Sequence, residues 1–285
     1  MKNILGIGTA GCNVARQLGY KKQYKVYALS PEVEKNTKYN CKIDELSHPE
    51  EYENLDLTKV SKFLSTITDT CAIFICGAST SSAIALRALE LLHRKGVKMN
   101  IVYFQPEIEV LSEMKRLNER TVRHILQEYA RSGLFEKITL IENRTLETIA
   151  GSTNVFDYFD QINQVFTETY HMMNVFSNTK PITSTFTKPH ETCRISTIGL
   201  GSLEKDDLLF FPFKQESEVV YYFGINEEKL RTEENLFRTI TDKVKSRITD
   251  QTKVSFGIYP TQYEDDYIYV EYFSQKIQQD SVDTE

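Results

Sequence analysis

The sequence predicts an α/β protein: a Rossmann-like domain built on a parallel sheet, joined by a long central helix to a smaller α+β domain. Three observations indicate this. Short apolar strands alternate with helical segments over residues 1–150, which is typical of a parallel sheet with helices on both faces. A long segment with an apolar stripe follows at 151–177. The remainder has the order β, β, α, β, β.

Length and composition limit the class of protein. The 285 residues, 40% of them hydrophobic, suit one large domain or two of ordinary size. A net charge of −6 argues against a wide nucleic-acid surface. Five cysteines without a C-x-x-C pair indicate neither a disulfide scaffold nor a zinc site, so we expect no metal centre and a reducing, cytoplasmic location. No apolar run approaches the roughly 20 residues that span a bilayer.

The first strand, Asn3–Ile7, runs into a glycine-rich turn, GIGTAGCN, and then a helix. Glycines let the backbone approach an anion, and the N–H groups of a helix start face it, so this turn is a candidate phosphate cradle. It also has the G-x-G-x-x-G spacing of dinucleotide-binding proteins. Those proteins place an acid after the second strand to hold a ribose. Here Tyr24–Leu29 is followed by Ser30, and the nearest acid, Glu32, lies in a turn, which disfavours a nicotinamide cofactor.

A second strand–turn–helix unit follows a polar loop at 31–56 and a helix at about 57–68. Strand Cys71–Cys76 ends in GASTSSA, and a helix resumes at Ile84. Hydroxyls and backbone N–H groups in this turn could donate to phosphate, and an ordinary helix cap is the equal alternative. Further on come a strand at 99–104, a turn at Gln105-Pro106, a helix at about 110–132 and a strand at 137–141. In parallel sheets ligands bind at the carboxyl ends of strands, where all these turns lie.

The central segment, 151–177, predicts a helix about six turns long that begins after the N-cap Asn154. Its apolar residues recur at steps of three and four, which is most often a core-facing stripe. The stripe consists of Val155, Phe159, Ile162, Phe166, Met173 and Phe176, with Thr169 in the gap. Asn163 lies one turn after Phe159. This aromatic and amide could together stack on a flat base and hydrogen-bond its edge.

Residues 178–273 predict the second domain. We expect strands at 193–199, 218–224, 253–259 and 267–273, a helix at about 227–249, and a turn at Pro260. Residues 274–285 form a polar, acidic tail that we expect to be disordered.

Taken together, these parts resemble the tubulin/FtsZ superfamily up to about residue 273. The first turn is similar to the bacterial G-x-G-x-A-G-x-N loop. GASTSSA takes the place of the G-G-G-T-G-[ST]-G signature and matches it at Gly77, Thr80 and the hydroxyl of Ser82. IENRTL at 141–146 resembles I-P-N-x-x-L. Phe159 and Asn163 match the aromatic and asparagine that stack and read guanine in that family.

The resemblance implies that domain 1–150 and the central helix bind GTP or GDP, with Mg²⁺ as a candidate accompanying ion. It also implies head-to-tail filaments of the chain with itself and an adaptor protein as a candidate partner, without direct nucleic-acid binding or a membrane span. The residues that it assigns to the nucleotide are Gly8, Thr9, Ala10, Gly11, Cys12, Asn13, Gly77, Ala78, Ser79, Thr80, Ser81, Ser82, Pro106, Glu109, Phe159 and Asn163.

The chain departs from the family where hydrolysis is concerned. In the family, acidic residues in the loop after the core helix complete the pocket of the next subunit and orient the attacking water. Here no Asp or Glu occurs from Thr169 to His190, so Glu191 is the candidate catalytic residue and His190 a distant second. The segment 201–218 is also too short for the family's helices.

We therefore expect a guanine-nucleotide-binding, filament-forming protein with weak or absent GTP hydrolysis. A degenerate, non-polymerising regulatory module and a nicotinamide-dependent oxidoreductase remain as alternatives.

Overall fold

The computed structural model describes residues 2–46, 48–152 and 154–279, without the side chain of Ser82. The chain divides into two compact units, Met1–Thr167 and Glu168–Glu285. This boundary falls inside the central helix, so each unit contains part of that helix. The sequence-based domain limits, at 150 and 178, lie on either side of this helix and stay a prediction.

Strands and helices alternate through the first unit. In chain order they are β1 (Lys2–Ile7), α1 (Gly8–Leu18), β2 (Tyr24–Ser30), β3 (Asn40–Lys42), α2 (Thr58–Leu64), β4 (Thr70–Cys76), α3 (Ala83–Arg94), β5 (Lys98–Gln105), α4 (Glu113–Arg131), β6 (Lys137–Glu142), α5 (Asn143–Ala150) and α6 (Tyr158–Ser177), which continues into the second unit. Short 3₁₀ helices occur at Pro49–Asn54, Thr80–Ser82 and Ile108–Val110. The segment 31–56, expected to be loop throughout, therefore contains β3 and a 3₁₀ helix.

The strands of the first unit pair in the order β3-β2-β1-β4-β5-β6, and every pair described here is parallel. This confirms the predicted mixed α/β fold with a mostly parallel sheet. The central strands are buried apolar runs, as a sheet covered on both faces requires. Their carboxyl ends meet at one edge of the sheet, and the candidate phosphate turns follow β1 and β4 at that edge.

Helix α6 begins four residues later than its predicted N-cap. The Oδ1 atom of Asn154 accepts hydrogen bonds from the backbone N–H groups of Phe156 and Asp157, at 3.0 and 3.1 Å, and closes a turn ahead of the helix. The predicted apolar stripe is buried from Ile162 onward. Val155 is 91% exposed and Phe159 is 66% exposed, so the start of the expected core stripe lies on the surface.

The strands of the second unit pair in both parallel and antiparallel directions. Its elements after α6 are β7 (Thr183–Ser184), β8 (Ile195–Leu200), β9 (Leu208–Leu209), β10 (Glu218–Asn226), α7 (Glu227–Thr232), α8 (Leu236–Arg247), β11 (Lys253–Thr261) and β12 (Tyr267–Ser274). Strand β10 pairs with β11 in parallel and with β12 antiparallel. Tyr221, Phe223, Ile240 and Val270 are fully buried in the core between this sheet and α8.

Two expectations for the second unit were wrong in detail. The helix expected at 227–249 is two helices, α7 and α8, separated at 233–235. Pro260 lies inside β11, opposite Ile225 of β10, rather than in a turn. Since the other neighbour, β7, pairs only with Gly257 and Ile258, a residue without an N–H group is tolerated on that outer side.

The segment expected to be a disordered tail begins with packed residues. Ser274 ends β12, and Gln278 is 3% exposed. The Oε1 atom of Gln278 accepts a hydrogen bond from the backbone N–H of Lys214 at 2.8 Å. The rest of this expectation, at 280–285, lies outside the described residues. Within the described part of the chain, no helix combines the length and apolar character needed to cross a membrane.

Candidate functional site

The first glycine-rich turn is tighter than the sequence suggests, because β1 leads directly into α1 at Gly8. Gly8 has φ +74°, in the left-handed region that favours glycine. The start of α1 has no acidic residue in its first turn, and no described side chain caps it. The N–H groups of the first turn, at Gly8, Thr9 and Ala10, are therefore the ones that regular helix geometry leaves for an outside acceptor. Together with the helix dipole they favour an anion.

The other glycines of this turn pack closely against neighbouring backbone. A Cβ at Gly6 would lie 2.6 Å from the Cα of Cys12, and one at Gly11 would lie 2.5 Å from the carbonyl oxygen of Phe74. Gly11 therefore allows α1 to pack closely against β4. The sequence also assigned the N–H groups of Gly11 and Cys12 to phosphate. A regular helix that begins at Gly8 uses these two groups internally, so their contact with phosphate stays a prediction.

Cys12 is buried, and its thiol lies 3.2 Å from the carbonyl oxygen of Gly6. Burial raises the pKa of Cys12 to about 12, so the thiol stays protonated and unreactive. Asn13 is exposed one turn into α1, and its Oδ1 atom accepts a hydrogen bond from the Arg16 guanidinium at 2.8 Å. Of these two candidates, only Asn13 presents its side chain at the surface.

The second turn approaches the first. Ser81 is 4% exposed, its Oγ atom lies 2.9 Å from the Oγ atom of Ser79, and a Cβ added at Gly8 would lie 2.8 Å from the Oγ of Ser81. Thr80 is half-buried beside them. The backbone bends at Ala78, which has φ +64°, an uncommon value for a residue with a side chain. The structure thus brings the two candidate phosphate turns together, while the predicted hydroxyl of Ser82 lies outside the described part of the chain.

The amino-terminal part of α6 lies against the same edge of the sheet. The Phe166 ring packs edge-on against Phe74 of β4 and Phe104 of β5, with centroid distances of 5.6 and 4.8 Å. Gln17 of α1 donates to the carbonyl oxygen of Asp160 at 3.2 Å and accepts from the hydroxyl of Thr167 at 3.2 Å. These contacts fix the first turns of α6 beside α1. Gln17 was not predicted, although its place four residues after Asn13 puts it on the same helix face.

Phe159 and Asn163 occupy these first turns of α6. The Phe159 ring is 66% exposed, and the Asn163 side chain is half-buried one turn later. An exposed aromatic face next to a partly enclosed amide is suited to a flat ring with a hydrogen-bonding edge. The exposure of Phe159 contradicts its expected place in a core stripe and agrees with its alternative interpretation as a stacking surface.

The turn after β5 carries charged residues. Pro106 is half-buried directly after the strand, and Glu109 is exposed and pairs with Arg144 of α5 at 2.7 Å. Burial raises the pKa of the neighbouring Glu107 carboxyl. The Glu109 carboxylate is therefore paired with the Arg144 guanidinium. Like Gln17, Arg144 was not among the site residues predicted from the sequence.

Glu191 belongs to the second unit, where it is exposed in the turn before β8. The backbone N–H of His190 donates to the Oε1 atom of Glu218 at 2.6 Å, and the His190 Nδ1 atom lies 2.8 Å from the hydroxyl of Thr192. The catalytic role of Glu191 stays a prediction.

Among the described residues, no group of three or more His, Cys, Asp or Glu side chains could hold a metal ion.

Comparisons with known proteins agree with this arrangement at the level of the fold. No known family profile and no curated protein matches the sequence. Solved structures do match. A GTPγS-form protofilament of TubZ from Bacillus thuringiensis serovar israelensis gives a TM-score of 0.72 at 13% identity, over 96% of this chain and 86% of that chain. CetZ1 from Haloferax volcanii, a GDP-bound monomer, gives 0.66 at 15%, over 97% and 94%. An empty FtsZ dimer from M. jannaschii gives 0.68 at 10%, over 95% and 87%.

The fold is therefore that of tubulin/FtsZ-type proteins, as the sequence resemblance implied. TubZ, CetZ1 and FtsZ are particular proteins with this fold. Because the sequence identities are only 10–15%, the similarity to these proteins concerns the fold alone.

Proposed function

We propose that this protein binds a guanine nucleotide at the carboxyl edge of its parallel sheet and assembles with itself into filaments. The observation that carries the nucleotide proposal is the approach of the two turns, with the Ser81 hydroxyl facing Gly8 across the uncapped start of α1. Backbone N–H groups of Gly8, Thr9 and Ala10 would hold phosphate oxygens from one side. The hydroxyls of Thr80 and Ser81 would donate from the other.

Base recognition in this proposal rests on Phe159 and Asn163. The exposed ring of Phe159 offers a stacking surface, and the amide of Asn163 can both donate and accept, which a guanine edge requires. Gln17 and Thr167 hold this part of α6 against α1, so the base contacts and the phosphate contacts are fixed relative to one another. Mg²⁺ belongs to the proposal as a companion of the phosphates, because this ion is usually held by substrate phosphates and few protein ligands.

Self-assembly is supported by the proteins that share the fold. The TubZ structures are described as protofilaments and as two- and four-stranded filaments, and the four-stranded filament matches with a TM-score of 0.73 at 14% identity over 95% of this chain. We infer that copies of this chain associate head to tail in the same general manner. An adaptor protein that connects such a filament to its cargo is a further candidate partner.

Slow or absent hydrolysis is the third part of the proposal. The segment from Thr169 to His190 contains no carboxylate, and none of the described residues 201–217 is helical. A general base that activates the attacking water typically contributes 10²–10⁴-fold to the rate of hydrolysis, and without one that contribution is lost. Glu191 is the first carboxylate after this segment, and it is the candidate to serve as the missing base. Filaments of this protein should therefore persist after assembly.

A thermal stability screen with GTP, GDP, ATP and NAD tests the nucleotide proposal. We expect GTP and GDP to stabilise the protein, by about 2.7 kcal/mol at a concentration 100 times the dissociation constant, while ATP and NAD do not. Stabilisation by NAD alone would favour the oxidoreductase alternative. Stabilisation by none of the four would favour a regulatory module that has lost nucleotide binding.

A further inference from the structure

A buried charged cluster lies beneath the second turn, in a part of the unit that the proposed nucleotide contacts do not use. Glu119 and Arg123 are one turn apart on α4, and the Nε atom of Arg123 lies 2.9 Å from the Oε1 atom of Glu119. Their side chains are 1% and 3% exposed. The Tyr103 hydroxyl of β5 donates to the same Oε1 atom at 3.0 Å. This buried ion pair therefore has an additional hydrogen-bond donor from the sheet.

Such a cluster is weak evidence for stability alone. Desolvation of two buried charges commonly cancels their attraction, and apolar replacements of similar volume are often as stable. Buried polar groups can instead fix one conformation among several alternatives. The residues that touch this cluster show which conformation it could fix.

The backbone of Gly77 passes directly over the cluster. A Cβ added at Gly77 would lie 2.1 Å from the Tyr103 hydroxyl and 3.0 Å from the Cγ atom of Glu119. The Gly77 N–H donates to the carbonyl oxygen of Phe104 at 3.0 Å, which attaches the start of the turn to β5. The second turn therefore packs directly against the Tyr103 hydroxyl at Gly77.

The next residue, Ala78, shows why the turn requires such support. Its φ of +64° is unfavourable for a residue with a Cβ, and such a conformation persists only where the surroundings hold it. Ala78 leads directly into Ser79, Thr80 and Ser81. A relaxation at Ala78 would therefore move the hydroxyl that faces Gly8.

We propose that Tyr103, Glu119 and Arg123 are positioning residues that hold the second turn in its phosphate-binding conformation. None of them touches the nucleotide. Arg123 orients the Glu119 carboxylate, the carboxylate orients the Tyr103 hydroxyl, and the hydroxyl supports Gly77 and the strained Ala78. This inference rests on the proposed nucleotide function for its consequence, while the support of the turn is a property of the protein itself.

The test uses Tyr103→Phe and Glu119→Gln, which keep the size of each side chain. The control is Glu90→Gln, because Glu90 and Arg94 form a pair of the same spacing on α3, at 2.5 Å, with side chains 56% and 70% exposed. Amide hydrogen exchange is measured without nucleotide. We expect exchange at residues 77–81 to rise about tenfold or more in the two test variants, with residues 8–12 unchanged, and no change in the control.

GTP affinity is then measured for the same proteins. We expect a loss of about tenfold in the test variants with the preference for guanine over adenine retained, because the base contacts lie on α6. Unchanged exchange at 77–81 in both test variants would overturn the positioning role, and so would an equal rise over the whole unit. If the unaltered protein binds no GTP, the proposed function fails, and the exchange result still decides whether the cluster supports the turn.

Discussion

The substitution Gly8→Ala, compared with Gly96→Ala, isolates the space between the two candidate phosphate turns. Both glycines have φ +74°, so alanine at either position carries a similar backbone penalty, about 1–2 kcal/mol. A Cβ at Gly96 would have no atom within 4 Å, whereas one at Gly8 would lie 2.8 Å from the Ser81 Oγ atom. The two variants therefore share the conformational cost and differ in the contact.

The contact adds a second cost at Gly8. Ser81 is 4% exposed, and its hydroxyl is 2.9 Å from that of Ser79. If the Ser81 side chain moves aside, it weakens this partly buried hydrogen bond, which is worth about 0.5–1.5 kcal/mol. We expect Gly8→Ala to lower the free energy of unfolding of its unit by about 1.5–3.5 kcal/mol, against about 1–2 kcal/mol for Gly96→Ala. Denaturant unfolding followed by a probe in the first unit measures both.

Nucleotide affinity separates the two variants more sharply. The added methyl of Gly8→Ala occupies the space in which the turns face each other, so we expect GTP to bind at least about tenfold more weakly, which is 1.4 kcal/mol. Gly96→Ala should bind GTP as the unaltered protein does. Equal GTP affinities in the two variants would refute the assignment of this space to the phosphates.

Four further outcomes follow from the structure. Asn163→Ala should lose about 1–3 kcal/mol of preference for guanine over adenine, and an unchanged preference in competition binding would return this residue to a structural role. Glu191→Ala should leave phosphate release from assembled protein as slow as before, or slower. Fast release that survives the substitution would mean that another acid reaches the pocket. Gly11→Val should destabilise the first unit rather than act on affinity alone, because a Cβ there would lie 2.5 Å from the Phe74 carbonyl oxygen, as denaturant unfolding would reveal. Since the pKa of Cys12 is raised to about 12, the thiol should resist iodoacetamide at pH 8 until the protein is unfolded, and rapid labelling of the native protein would contradict this burial.

The order of strands and helices could be predicted because each long strand is an apolar run bounded by small or polar residues. Strands β3, β7 and β9 were not predicted, since segments of two or three residues are too short to show a period. The start of α6 was misplaced for a different reason. Val155 and Phe159 continue the helical spacing of the buried stripe, and sequence spacing alone cannot show that these two side chains are exposed.

Residue type alone could not separate two structural roles at the candidate site. Glycine signals both close ligand approach and close packing, and only the neighbours of Gly8 and Gly11 separate the two roles. The cluster beneath the second turn was not found, because Glu119 and Arg123 on a charged amphipathic helix resemble an exposed pair in the sequence. Their burial depends on Tyr103, which belongs to another element of the fold.

Electron microscopy of the purified protein, with GTP, with GDP and without nucleotide, tests the central claim most directly. Sedimentation of the same samples gives the assembled fraction, and Gly8→Ala serves as the variant with impaired binding. We predict filaments with GTP that persist for long periods, few or none without nucleotide, and a marked loss of assembly in Gly8→Ala. A protein that remains unassembled in all three conditions, or assembles equally well without nucleotide and in Gly8→Ala, would contradict a nucleotide-dependent filament.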